Sequence, residues 1–380
     1  MFDRRNFLGA GGISAAALLA NPRLAFAKAA TDKRFLFIIQ RGAADGLAIL
    51  APTGDPAYSG LRGDLAAPLA GGAKLDGMFT LHPALAATAQ LYAAKQALFV
   101  HAVASPYRDR SHFDGQNVLE SGAAGAYRLK DGWMNRLLGQ LPGDKAIALS
   151  PAVPLALRGA IPVESYAPSA LPVAADDLML RVGDLYARDA QLGPMWNEAL
   201  AARAKAGDLA IGKGGAALGA LAARQMNGPG GARIGMIETN GWDTHTGQNG
   251  RLTAQLRQLD ATIDAFRTGL GPEWANTMVL VATEFGRTAH ANGTGGTDHG
   301  TGAMAMLVGG AVAGGRVLAD WPGLGPSALY ESRDLKPTTD LDALVAGAMA
   351  QHFGLDPARA AGLLFPETKP VAMAQRLVIT

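Results

Sequence analysis

The sequence predicts an α/β protein built on a mostly parallel central sheet, and three observations lead there. Phe35–Gln40 (F-L-F-I-I-Q) and Met278–Ala282 are unbroken apolar runs, the pattern of strands covered on both faces. The stretch 232–282 reads strand, helix, strand: Ala232–Glu238 is apolar, and Leu252, Leu256, Leu259, Ile263 and Phe266 form one helical stripe that returns the chain to Met278. Finally, ionisable clusters follow the apolar runs and do not interrupt them. In open α/β sheets, ligands sit outside the carboxyl ends of the strands.

Composition narrows the classes. The 380 residues are 49% hydrophobic, enough for a sizeable core, and only 17% charged, too few for a nucleic-acid-coating surface. With no cysteine, disulfides, thiolate metal sites and a cysteine nucleophile are excluded.

The N-terminus carries an export pattern: the pair Arg4-Arg5, the uncharged Gly9–Ala20 and the small-residue pattern Ala25-Phe26-Ala27. This matches a twin-arginine signal peptide over 1–27, cleaved after Ala27, leaving a mature domain over 28–380. The apolar stretch falls short of the roughly 20 residues a membrane span requires, so none is expected in the mature form. Cleavage removes three of 34 basic and one of 32 acidic residues, so the mature chain has 31 of each and is neutral.

Taken in order, Phe35–Gln40 ends in R-G-A-A-D-G-L, which sets Asp45 just beyond a strand at a Gly-rich turn. Leu85–Lys95 is helical in pattern and Ala97–Ala102 is the second strand. The loop Ser105–Arg110 follows, with Ser111 at the N-cap of a helix that runs to about Ser121 and stops at Gly122. Its hydroxyl either caps the helix or caps and also acts as nucleophile, with Arg108 and Arg110 near a helix start suited to an anion. Helical spacing recurs in 177–189 and 195–206, where Tyr186 and Trp196 read as packing residues. Beyond the strand at 232–238, Asp243 and His245 stand two apart, so an extended loop can point both one way. Such pairs coordinate metals through a carboxylate oxygen and an imidazole nitrogen. Met304–Val308 supplies another strand and Leu341–Phe353 a closing helix. His352 near its end reads as a surface histidine matched to the helix dipole, and His82 and His101 as structural.

The densest stretch is 283–300, T-E-F-G-R-T-A-H-A-N-G-T-G-G-T-D-H-G. It gathers Glu284, Arg287, His290, Asp298 and His299 with five glycines directly after a strand. A parallel sheet would bring this loop, Asp45, Ser111 and the Asp243/His245 pair to one edge. Oxygen and imidazole donors without sulfur suit divalent Zn or Mn, with Ca or Mg also open, as one ion or two.

R-G-A-A-D-G-L, S-H-F-D-G-Q-N, G-W-D-T-H, T-E-F-G-R, G-T-D-H-G and D-W-P-G-L, in this order behind a twin-arginine start, resemble the domain-of-unknown-function 1501 family of exported bacterial proteins. That family is grouped with the alkaline phosphatase-like superfamily. The resemblance implies a three-layer α/β/α sandwich, alkaline phosphatase-like, with a metal site at the sheet edge. It implies that Asp243, His245 and His299 hold one metal and that Asp45, Ser111 and Glu284 hold another, with Ser111 the nucleophile and Asp298 a further ligand candidate. Phe285 stands where the superfamily commonly has a metal-binding histidine.

The reading is therefore an exported metal-dependent hydrolase of phosphate or sulfate esters, in which Arg110 or Arg287 steadies the oxyanion. The alternative is a non-catalytic exported protein of the same fold acting in binding or envelope assembly. Expected partners are a small-molecule ester and, during export, the twin-arginine translocase, with no nucleic acid; the expected location is periplasmic or secreted.

Overall fold

A computed structural model describes residues 31–167, 176–206 and 214–379. The predicted signal peptide, 1–27, lies outside them. The strands are β1 (Arg34–Gln40), β2 (Leu50–Ala51), β3 (Ala73–Lys74), β4 (Thr80–Leu81), β5 (Ala97–Ala104), β6 (Ala146–Leu149), β7 (Glu164–Ser165), β8 (Ile234–Thr239), β9 (Thr277–Ala282), β10 (Ala303–Val308), β11 (Arg316–Leu318) and β12 (Thr339–Asp340). The main sheet has the order β11-β5-β10-β9-β1-β8-β6-β7, with β12 also on β5, while β2, β4 and β3 form a small separate sheet.

β1 is the centre, paired in parallel with β8 on one side and β9 on the other. Its residues alternate between two cores, as a pleated strand covered on both faces must. Phe35, Phe37 and Ile39 pack with Trp133, Leu137, Leu344 and Met349. Leu36 and Ile38 pack with Leu221, Leu256, Ile263 and Phe266. The layers are thus helices 112–121, 133–138, 341–353 and 357–364, then the sheet, then helices 86–93, 214–226 and 248–270. This is a three-layer α/β/α sandwich with a mostly parallel sheet.

Within the main sheet β10 alone runs against its neighbours, antiparallel to both β9 and β5. The reversal positions the site. Because β10 starts at the edge where β9 ends, the connection 283–302 stays on that edge, beside the chain leaving β1, β5 and β8.

Two expectations need correction. His352 is not a surface histidine: it is 2% exposed, packed in the helix Leu341–Phe353, and its Nε2–H donates to the Arg34 carbonyl at 2.9 Å. Ser111 occupies the N-cap of the helix His112–Ser121 with extended backbone (φ −95°, ψ 124°), but its hydroxyl makes no capping bond. Gly122 does end that helix, in the left-handed conformation at φ 67°. His82 and His101 are buried as expected, and Tyr186 packs edge-on against Trp196. No helix among the described residues is long and apolar enough to cross a membrane.

Candidate metal centre

Four segments leaving the sheet edge meet at one point. After β1 the chain turns at Gly42, whose φ of +115° suits glycine and where a Cβ would meet the Asp243 backbone nitrogen at 2.6 Å. The turn lets the Gly42 N–H donate to Glu284 Oε1 at 2.8 Å, tying the β1 and β9 exits together. β5 leads to the helix that opens on His112, β8 to Asp243 and His245, and the β9–β10 connection to Glu284 and His299.

Three imidazoles and a carboxylate converge there. His112 Nε2 lies 2.9 Å from His299 Nε2, which lies 3.1 Å from His245 Nε2. Asp243 reaches all three: Oδ2 to His112 Nε2 at 3.4 Å, and Oδ1 to His245 and His299 Nε2 at 3.0 and 3.4 Å. The His112, Asp243 and His299 donor atoms fall within 4.8 Å of one another. A tetrahedral zinc shell with Zn–N near 2.0 Å has edges of roughly 3.3 Å, so the donors stand at close to ligand spacing.

Each ring is held by its other nitrogen. His112 Nδ1 donates to Glu284 Oε1 at 2.8 Å, His245 Nδ1 to Asp298 Oδ1 at 3.0 Å, and His299 Nδ1 to the Arg110 carbonyl at 3.0 Å. A carbonyl or an ionised carboxylate can only accept, so in the neutral rings the protons sit on Nδ1 and the His299 Nε2 lone pair faces those of His112 and His245. Lone pairs at 3 Å beside a carboxylate repel unless a cation or an extra proton lies among them. Imidazoles that donate outward to carboxylates and carbonyls are the usual arrangement of metal-binding histidines.

The same contacts set the electrostatics. The bond to Glu284 raises the His112 pKa above its ordinary value, while burial and the neighbouring His112 lower that of His299. Burial alone would raise Asp243, Glu284 and Asp298, yet each is held low: Asp243 by Arg287, Glu284 by His112 and Gln116, Asp298 by His245 and Asn292. Phe285, 2% exposed, stacks beneath His112 at 5.1 Å between centroids and walls the cluster.

The structure brings Asp243, His245 and His299 together and sets Glu284 and Asp298 behind two of the rings. Arg287, 1% exposed, donates to Asp243 Oδ1 at 2.6 Å and to Thr297, so it fixes the carboxylate. Arg110 spends its guanidinium on Asp334 and Glu331 and gives the site its carbonyl, from a left-handed backbone at φ 59°. Asp45, 1% exposed, spends its carboxylate on Arg62, Gln248 and the Leu47 N–H. Ser111 stands next to His112 and its hydroxyl has no partner among the described residues. Sequence reading missed His112. Its signal was its place as first residue of a helix that follows a buried strand.

Fold and centre together define a three-layer α/β/α protein with a histidine-rich site at the carboxyl edge of its sheet. The chain belongs to the family described as "Protein of unknown function (DUF1501)", which it matches over residues 32–363. Among solved structures it is similar to a 2-O GAG sulfatase, at 9% identity over 90% of this chain and 76% of the other, TM-score 0.39. It is also similar to the C-terminal periplasmic domain of EcEptC from Escherichia coli in complex with Zn, at 9% identity over 74% of each chain, TM-score 0.35. A third is the phosphonate monoester hydrolase of Agrobacterium radiobacter, at 10% identity over 75% and 70%, TM-score 0.33. No curated protein matches the sequence. Likenesses this distant carry no argument about the site, which rests on its own geometry.

Proposed function

We propose that the protein is an exported metal-dependent hydrolase of phosphate or sulfate esters. The observation that carries the reading is the His299 Nε2 set between those of His112 and His245 beside Asp243, each ring anchored through Nδ1. His112, His299 and Asp243 would hold one ion, with His245 completing the shell. Nitrogen and oxygen donors at this spacing suit Zn first and Mn next, with Ca or Mg further candidates.

When bound, a divalent ion supplies Lewis-acid polarisation of the ester oxygen. The chain does the rest. Glu284 and Asp298 keep the rings aimed, and Arg287 keeps Asp243 ionised and in place. Ser111 supplies the nucleophilic hydroxyl: it lies beside His112 and is spared from capping. Because it caps nothing, Ser111→Ala should cost less than the roughly 0.5–2 kcal/mol of a lost cap while abolishing hydrolysis of 4-nitrophenyl phosphate or sulfate. An active Ser111→Ala enzyme removes the nucleophile role; unchanged metal stoichiometry in His112→Ala and His299→Ala removes the centre.

The non-catalytic reading draws on Asp45, whose carboxylate is taken up by Arg62 and Gln248. It prevails if the protein, loaded with each of these metals, cleaves no ester. Export by the twin-arginine translocase to the periplasm or beyond is inferred from Arg4-Arg5. Changing both to Lys should hold the precursor in the cytoplasm, and undiminished export would refute the route.

A further inference from the structure

The helix that contributes His112 also walls a separate open cleft of about 340 Å³, within the usual size of ligand pockets. Two features set it apart from an ordinary surface hollow. The first is a pair of exposed aromatic rings, Phe113 at 80% and Tyr127 at 66%. Tyr127 has a left-handed backbone, φ 61°, which a bulky residue seldom adopts. It is held there by its N–H donating to Asn117 Oδ1 at 2.6 Å. An exposed aromatic residue whose strained backbone is fixed by such a bond is positioned.

The second feature is the polar floor. Arg41 lies between two carboxylates, 2.8 Å from Glu120 and 2.8 Å from Glu238 Oε1, so one cation serves two anions. Glu238 Oε2 and Asn117 Nδ2 have no partner among the described residues, leaving one strong acceptor and one donor facing the cleft. The cleft adjoins the metal centre. Gln116, one turn from His112, accepts from Arg41 at 2.8 Å and donates to Glu284 at 3.0 Å.

We propose that this cleft binds a neutral polyhydroxylated ring, the sugar or polyol portion of the ester. The negative faces of the two aromatic rings attract the polarised C–H groups on an apolar sugar face. Hydroxyl groups, each both donor and acceptor, match Glu238 and Asn117. With Arg158 also lining it, the cleft sets two guanidiniums against two carboxylates and has no net charge to draw an ionic ligand. An aryl group would bury the floor while satisfying none of it, which costs more than stacking returns. The substrate class rests on the hydrolase reading, whereas sugar binding itself requires neither the ion nor turnover.

The test is calorimetric titration of the full metal-loaded protein with methyl glucoside, methyl galactoside, methyl N-acetylglucosaminide and phenol. At least one glycoside should bind, more tightly than phenol, and Phe113→Ala, truncating a mostly exposed ring, should weaken it about tenfold. Tyr127→Ala and Glu238→Gln should each weaken it as well, with metal content unchanged. The proposal is overturned if no glycoside binds, if phenol binds best, or if the Phe113 and Tyr127 variants retain wild-type affinity. Any of these, with metal binding and ester hydrolysis intact, sinks the cleft alone; glycoside binding without hydrolysis sinks the hydrolase reading and spares the cleft.

Discussion

Single residues divide here into those that face the cluster and those that aim them. Glu284 is 1% exposed and accepts from Gly42, His112, Gln116 and Thr283, while Asp298 is exposed and holds His245 from the solvent side. A carboxylate behind a histidine raises the ring's basicity, and losing one typically costs 10–100-fold in metal affinity. Glu284→Gln should therefore weaken Zn binding by roughly that much, and Asp298→Asn by distinctly less because water can replace it. Equal effects in competition titrations would show that burial of Glu284 is irrelevant. Since His112 has its pKa raised, protons should begin to displace the ion already above pH 6.5 in the wild type, and at lower pH in Glu284→Gln. His112 also marks where sequence reading stops. Its partner Glu284 lies 172 residues away, a pairing no local pattern encodes.

Among the elements, the helix Leu341–Phe353 carries opposed titrations at its two ends. Burial, with Asp340 beside it, pushes the Asp342 pKa up to about 7, and burial lowers that of His352 to about 4. Between about pH 4 and 7 both are neutral in the fold. An acid whose folded pKa is raised costs stability as pH climbs from the unfolded value near 3.9 through 7; a base whose folded pKa is lowered costs it as pH falls from 6.5 to 4. Asp342→Asn should thus stabilise the protein at pH 8 and not at pH 3.5, and His352→Gln should blunt the loss between pH 6.5 and 4. Each effect is roughly 3 to 4 kcal/mol at most. Urea midpoints across this range that shift by the same amount at every pH would rule out the assignment. The helix was legible from its apolar run, as were β1, β5, β8, β9 and β10. Strands of two to four residues such as β6, β7, β11 and β12 were not, because A-I-A-L has too few positions to show a period and gets its identity from the neighbouring strand. The Gly- and Ala-rich helix Gly214–Met226 escaped too, since its close packing on helix 248–270 comes from small residues such as Gly219, not from an apolar stripe.

At the scale of the whole molecule, the donors come from positions 112, 243, 245 and 299, and only the assembled sheet edge unites them. Zinc at about a thousandfold over its Kd should add roughly 4 kcal/mol to folding stability, raising Tm by several degrees in a way a chelator reverses. A melting curve indifferent to both zinc and chelator would mean that the lone pairs are bridged by a proton. A chain without cysteine has no covalent tie between distant segments. An ion shared by His112, Asp243 and His299 would close loops of about 130 and 55 residues, the topological work that disulfides perform elsewhere. Unlike a disulfide, that staple is indifferent to the redox state of its surroundings. It would hold equally well on either side of a membrane.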